Sequence, residues 1–72
     1  MKYILIIEIP SKILADKRII ITRELNRLAY EKPKRNVFLL EVEKESEIKK
    51  IKEWVIDYTD PSTKVNYYQL VK

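Results

Sequence analysis

Three groups of charged side chains are the residues of this sequence that could do chemistry. Glu8 is the only carboxylate within the apolar stretch 3–10, Arg23 and Arg27 stand four residues apart, and Lys32–Arg35 is a basic run that contains Pro33. A carboxylate can ligate a hard divalent ion, whereas clustered arginines and lysines can contact phosphates. The pattern therefore predicts either metal-assisted hydrolysis or the binding of a polyanion.

The residue types that are missing restrict this choice. The 72 residues include no His, Cys or Gly. Without His or Cys, a metal site would consist of Asp and Glu oxygens, which favours Mg²⁺ or Mn²⁺, and no cofactor is required otherwise. Without Gly, the glycine-rich phosphate loops are excluded. An enzyme that acts on small molecules is therefore the least favoured class.

Positive charge is concentrated in the first half of the chain. Residues 1–40 carry nine Lys and Arg against four Asp and Glu, a net +5, while residues 41–72 carry six against seven, a net −1. Such an excess favours DNA or RNA as a partner, although a solvated, charge-rich surface is an equal alternative. Abundant Ile, Lys and Glu without Cys is also typical of a thermophile.

The first half of the chain predicts a strand followed by a helix. The β-branched run from Tyr3 is stopped by Pro10, and a helix should begin between Ser11 and Asp16, either of which can cap it. Five apolar residues should pack this helix on the sheet: Leu14, Ile21, Leu25, Leu28 and Ala29. The opposite face, with Ile20, Arg23, Arg27 and Tyr30, is predicted to contact another subunit or a phosphate backbone.

The second half predicts a strand, a helix and a strand. After a basic loop at Lys32–Arg35, the pattern indicates a strand over residues 36–43 and a helix capped by Ser46. We expect a Lys49–Glu53 ion pair on this helix and a terminal strand containing Tyr67 and Tyr68. The buried stripe of the helix should comprise Ile48, Ile51, Val55 and Tyr58, with Trp54 at its edge.

These elements predict a single α/β (α+β) domain over residues 1–72, with helices on one face of the sheet. A hairpin between Leu28 and Glu43, with its turn at Glu31–Lys34, would give the ferredoxin-like βαββαβ order. Alternatively, the first helix reaches Glu31 and the sheet is a reduced, three-stranded βαβαβ. A domain of this size buries only about 60% of the surface that its unfolded chain exposes. We therefore expect a homodimer that covers the open face of the sheet.

The chain resembles the small CRISPR-associated adaptation family, the second of the Cas proteins. The resemblance rests on Ile7-Glu8-Ile9-Pro10-Ser11 after the first strand, on Asp16-Lys17-Arg18 at the start of the helix, and on Asn36-Val37-Phe38-Leu39-Leu40-Glu41-Val42 in the second strand. It implies a ferredoxin-like dimer associated with nucleic acid. Glu8 replaces the family's metal-binding Asp, and Leu40 stands where the family has Gly.

Three functional hypotheses follow. The leading one is a nucleic-acid-binding dimer that holds phosphates with Arg23, Arg27, Lys32, Lys34 and Arg35. The second is a nuclease in which Glu8 is both the catalytic residue and the ligand of Mg²⁺ or Mn²⁺. The third is a protein-interaction module, and the expected interface residues are Ile20, Tyr30, Tyr67 and Tyr68. The opening apolar run is too short to span a bilayer, so we expect a cytoplasmic protein without a membrane partner.

Overall fold

A computed structural model describes residues 1–71 and contains four strands and two helices. The order is β1 (Lys2–Glu8), α1 (Ala15–Leu28), β2 (Glu31–Lys34), β3 (Val37–Glu41), α2 (Glu45–Tyr58) and β4 (Lys64–Gln69). The strands form one antiparallel sheet in the spatial order β2-β3-β1-β4. This is the ferredoxin-like alternative, and the three-stranded alternative is wrong.

The central strand, β1, divides its side chains between two environments. Tyr3, Leu5 and Ile7 are buried against the helices, while Ile4 and Ile6 point to the other side because side chains alternate along a strand. The hydrophobic core contains ten buried residues: Tyr3, Leu5, Ile7, Ile21, Leu25, Phe38, Leu40, Ile48, Val55 and Val65. Burial of the Tyr3 ring, followed by the nearby charge of Glu45, raises the pKa of its phenol.

Strand β2 lies where the sequence predicted a basic loop or the turn of a hairpin, and both predictions are wrong. The segment Glu31–Lys34 is an edge strand, its four residues are exposed, and the turn lies at Arg35 and Asn36. A register shift between Glu31 and Lys34 accommodates Pro33, which cannot donate a ladder hydrogen bond. Asn36 has a φ of 66°, a left-handed conformation that asparagine adopts more readily than most residues.

The first helix begins without the predicted caps. The N-cap position of α1 is Leu14, without a side-chain hydrogen bond, and Asp16 lies inside the first turn. Of the five apolar residues predicted to pack this helix on the sheet, Ile21 and Leu25 are buried, but Leu14 and Leu28 are exposed. The helix touches the sheet through a narrower stripe than predicted, which leaves apolar side chains on both of its flanks.

The second helix also starts differently from the prediction. Its N-cap is Lys44 and not Ser46, and the carboxylate of Glu47 accepts hydrogen bonds from the backbone N–H groups of Lys44 (2.9 Å) and Glu43 (2.7 Å). The ion pair of Lys49 joins Glu45 at 4.0 Å instead of Glu53. Ile48 and Val55 are buried, with Ile51, Trp54 and Tyr58 partly buried beside them, so the predicted stripe is confirmed.

Candidate nucleic-acid interface

A surface groove of about 660 Å³ lies between α1 and the β2–β3 hairpin. We call it the basic groove, because four of its lining residues are cations and none is a carboxylate. A concentration of positive charge without internal neutralisation attracts anions. The lining residues are Ile9, Ala15, Arg18, Ile19, Thr22, Arg23, Asn26, Lys32, Arg35 and Asn36.

Arg18 is held in the groove by the segment that precedes α1. Its guanidinium donates hydrogen bonds to the backbone carbonyls of Ile13 (3.0 Å) and Ser11 (3.5 Å). Its Nε is buried and makes no hydrogen bond to another described residue. Because carbonyls accept these bonds, the positive charge of Arg18 is not neutralised by a carboxylate.

The opposite wall is formed by the β2–β3 hairpin. The Lys32 ammonium lies 5.2 Å from the centre of the Phe38 ring. Phe38 is buried on the face of the sheet that the helices cover. The turn is attached to the sheet by a hydrogen bond from the Ile7 N–H to the Asn36 carbonyl at 3.0 Å. Lys32 and Arg35 line the groove together with residues of α1, so cations from elements distant in sequence share one groove.

The structure brings together three of the five predicted phosphate-binding residues. Arg23, Lys32 and Arg35 line the basic groove, whereas Arg27 and Lys34 do not. Arg27 forms an ion pair with Glu24, and hydrogen bonds from the guanidinium lower the pKa of the Glu24 carboxyl. Lys34 pairs with Val37 across the hairpin and does not line the groove.

Arg18 is a groove residue that the sequence reasoning missed. Arg18, Thr22 and Asn26 recur every four residues and therefore follow one stripe of α1. The polar character of this stripe was available in the sequence. The prediction instead followed the Arg23 and Arg27 spacing and did not consider that Glu24 could neutralise Arg27.

Glu8 is the last residue of β1 and does not line the basic groove. Its side chain is 75% exposed, and one of its oxygens lies 4.0 Å from the Lys64 ammonium. Within residues 1–71, no group of three or more His, Cys, Asp or Glu side chains could hold a metal ion. Metal-dependent catalysis by Glu8 stays a prediction from the sequence.

The four predicted interface residues do not share one surface. Ile20 lines a second groove between the helices, and Tyr67 is half-buried with its ring 5.8 Å from that of Tyr3. Tyr68 pairs with Ile4 and therefore lies on the open face of the sheet. Tyr30 is also exposed, and the ammonium of Lys2, a residue of the open face, is 5.3 Å from its ring centre.

The second groove, about 420 Å³, differs in its chemistry. It is lined by Ile20, Glu24, Leu28, Lys50, Ile51 and Trp54, and we call it the apolar groove. The Trp54 ring stacks on Tyr58 with 6.0 Å between ring centres, which fixes one wall. In residues 1–71, neither helix has the length and apolar character needed to cross a membrane.

Comparisons with known proteins relate the chain to one solved fold. No protein-family model matches the sequence, and no curated protein matches it either. The crystal structure of Cas2 from Streptococcus pyogenes is similar to this structure, with a TM-score of 0.74 and 15% sequence identity, covering 99% of this chain and 87% of the Cas2 chain. The chain therefore has a Cas2-like, ferredoxin-like fold, as the resemblance in its sequence predicted.

Proposed function

We propose that this chain is a Cas2-like protein of the CRISPR adaptation type that binds the phosphate backbone of nucleic acid in the basic groove. The observation that carries the proposal is the convergence of Arg18, Arg23, Lys32 and Arg35 on one groove without a carboxylate. Arginine and lysine donate charge-assisted hydrogen bonds to phosphate oxygens. The Cas2-like fold supports the same assignment.

Cations on both walls of the groove contact the backbone in this proposal. Arg23 belongs to α1, whereas Lys32 and Arg35 belong to the hairpin, so a strand in the groove would be contacted from both sides. Such contacts position a backbone without reading its sequence. Binding should weaken steeply with salt, because each phosphate contact releases a bound counterion.

Fluorescence anisotropy with labelled DNA and RNA, single-stranded and duplex, over a range of salt concentrations tests the proposal. Lys32→Ala should weaken binding and reduce the salt dependence by about one counterion, while Lys34→Ala should have a smaller effect. The two lysines are a matched pair, because both are exposed residues of β2 and only Lys32 lines the groove. Binding that is independent of salt, or equal effects of the two variants, would refute the proposal.

We also propose that the functional unit is a homodimer formed through the open face of the sheet. This face carries Ile4, Ile6, Leu39 and Tyr68 in neighbouring register positions. Ile6 is 38% exposed and Tyr68 is 57% exposed, although both lie within strands. A second copy would remove this apolar surface from water and would enlarge a small core.

Sedimentation equilibrium measures the mass of the protein in solution and tests the homodimer directly. The wild type should have twice the mass of one chain, and Ile6→Lys should shift the equilibrium to the monomer because it places a charge in the interface. Ile19→Lys, which introduces the same charge on α1 away from the open face, is the control. A wild type that is monomeric at high concentration would contradict the proposal.

A further inference from the structure

The basic groove has the dimensions of a site for a compact ligand. Its volume of about 660 Å³ falls within the range of about 300–1,000 Å³ that is typical of small-molecule sites. It is bounded by α1 on one side and by the β2–β3 hairpin on the other. The groove therefore has room for a compact ligand between its two walls.

The charge of the groove exceeds what one phosphodiester requires. Four cations, Arg18, Arg23, Lys32 and Arg35, line it without a carboxylate. An internal phosphate of a strand carries one negative charge, whereas a phosphate monoester carries about −1.5 to −2 and offers three acceptor oxygens. A monoester is the better match in both charge and number of acceptors.

The remaining lining residues provide an environment for a nucleobase. Ile9 and Ile19 supply apolar surface, and Ile19 is 53% exposed although its side chain is apolar. Asn26 and Asn36 supply amide groups that both donate and accept hydrogen bonds, as the edge of a base requires. An inorganic anion would use the cations and would leave this part of the groove empty.

We propose that the basic groove binds a nucleotide that carries a terminal phosphate monoester. The phosphate contacts Arg23, Lys32 and Arg35, and the base lies against Ile19 and the two asparagines. The inference rests on the proposed function and narrows it from a phosphate backbone to a terminal nucleotide. Two sources share this chemistry, namely a free nucleoside 5′-phosphate and the 5′-phosphorylated end of a strand.

The experiment compares a short single-stranded oligonucleotide, labelled at its 3′ end, with either a 5′-phosphate or a 5′-hydroxyl. The 5′-phosphorylated strand should bind about tenfold more tightly, which corresponds to one additional charge-assisted hydrogen bond. Competition with 5′-AMP, adenosine and inorganic phosphate separates the parts of the ligand. 5′-AMP should compete better than either of the other two compounds.

Ile19 and Ile20 provide matched variants for the base-binding part. Ile19→Ser should weaken the binding of 5′-AMP several-fold, whereas Ile20→Ser, in the apolar groove, should not change it. Both side chains are exposed, so neither change removes a core contact, and circular dichroism verifies the fold. Tighter binding of 5′-AMP than of the phosphorylated strand supports the free nucleotide as the ligand, and the reverse supports the strand end.

The outcomes also separate this inference from the proposed function. If both strands bind equally and with the same salt dependence, and 5′-AMP does not compete, the inference is overturned while backbone binding stands. If neither strand nor any duplex binds, the proposed function itself fails. Equal effects of Ile19→Ser and Ile20→Ser on the binding of 5′-AMP would also overturn the inference.

Discussion

Helix α1 borders two grooves of opposite character. The basic groove collects Arg18 and Arg23 from one flank of the helix, and the apolar groove collects Ile20 and Glu24 from the other. Arg23 and Glu24 are adjacent in sequence but belong to different grooves, because successive side chains on a helix are rotated by about 100°. Position around the helix, and not local charge density, therefore decides which cations are left without a carboxylate partner.

The position of Glu24 explains the contrast. Its ion pair with Arg27 keeps both charges away from the basic groove. The carboxylate that would weaken phosphate binding by like-charge repulsion therefore neutralises an arginine that does not line the groove. The same helix thus presents a cationic flank and an apolar, nearly neutral flank.

The largest expected effect concerns the third side of α1, which attaches the helix to the core. Leu25 is completely buried, so Leu25→Ala should lower the free energy of unfolding by about 2–5 kcal/mol. Leu28 lines the apolar groove and is 41% exposed, so Leu28→Ala should cost only about 0.5 kcal/mol. Urea denaturation followed by circular dichroism measures both values. Equal losses would show that α1 packs on the sheet in a different rotation.

A second change tests whether Glu24 isolates Arg27 from the basic groove. Glu24→Gln removes the ion-pair partner, and the released arginine should strengthen nucleic-acid binding by about twofold at low salt. Glu53→Gln removes the same charge from an exposed site on α2 and serves as the control. Anisotropy titrations provide the affinities. An equal gain in the two variants would mean that only the net charge matters.

The smallest expected effect concerns α2, which forms the far wall of the apolar groove. Hydrogen bonds from the N–H groups of Lys44 and Glu43 lower the pKa of the Glu47 carboxyl. A carboxyl group with a lowered pKa in the folded state stabilises the protein above its unfolded pKa, and this contribution is lost as the pH falls through the folded value. Glu47→Gln should therefore lower the midpoint of thermal unfolding at neutral pH, and the difference should shrink in acid.

Thermal unfolding monitored by circular dichroism at neutral and acidic pH provides this measurement. Glu53→Gln is again a suitable control, because it changes a glutamate of the same helix that does not cap it. A deficit of the Glu47→Gln variant that grows in acid would show that the carboxylate does not act as a cap.

Much of the fold could be predicted from the sequence, because buried strands and helices carry periodic apolar residues. The apolar run that starts at Tyr3 is a strand, and the helical stripe of Ile48 and Val55 is buried, as predicted. The hairpin containing β2 was one of two alternatives, and its turn was placed at Glu31–Lys34, because β2 is a short edge strand whose side chains are all exposed. Without a buried face, such a strand leaves no apolar alternation in the sequence.

The candidate site was predicted only in part, because it depends on tertiary contacts. The sequence identified Arg23, Lys32 and Arg35 as cations, but not that a hairpin would bring the last two beside α1. The ion pair between Glu24 and Arg27 was not predicted, and it occupies a guanidinium that the prediction assigned to phosphate. Helical spacing predicts which residues share a flank, whereas the partner of each charge depends on its rotamer.

We propose that the basic groove, and not the overall positive charge, binds phosphate. Arg23 and Arg27 are the matched pair for this test, because they are exposed arginines on the same helix and only Arg23 lines the groove. We predict that Arg23→Ala weakens the binding of a 5′-phosphorylated single strand about tenfold at moderate salt, while Arg27→Ala changes it by less than about twofold. Equal losses in the two variants would show that net charge, and not the basic groove, determines binding.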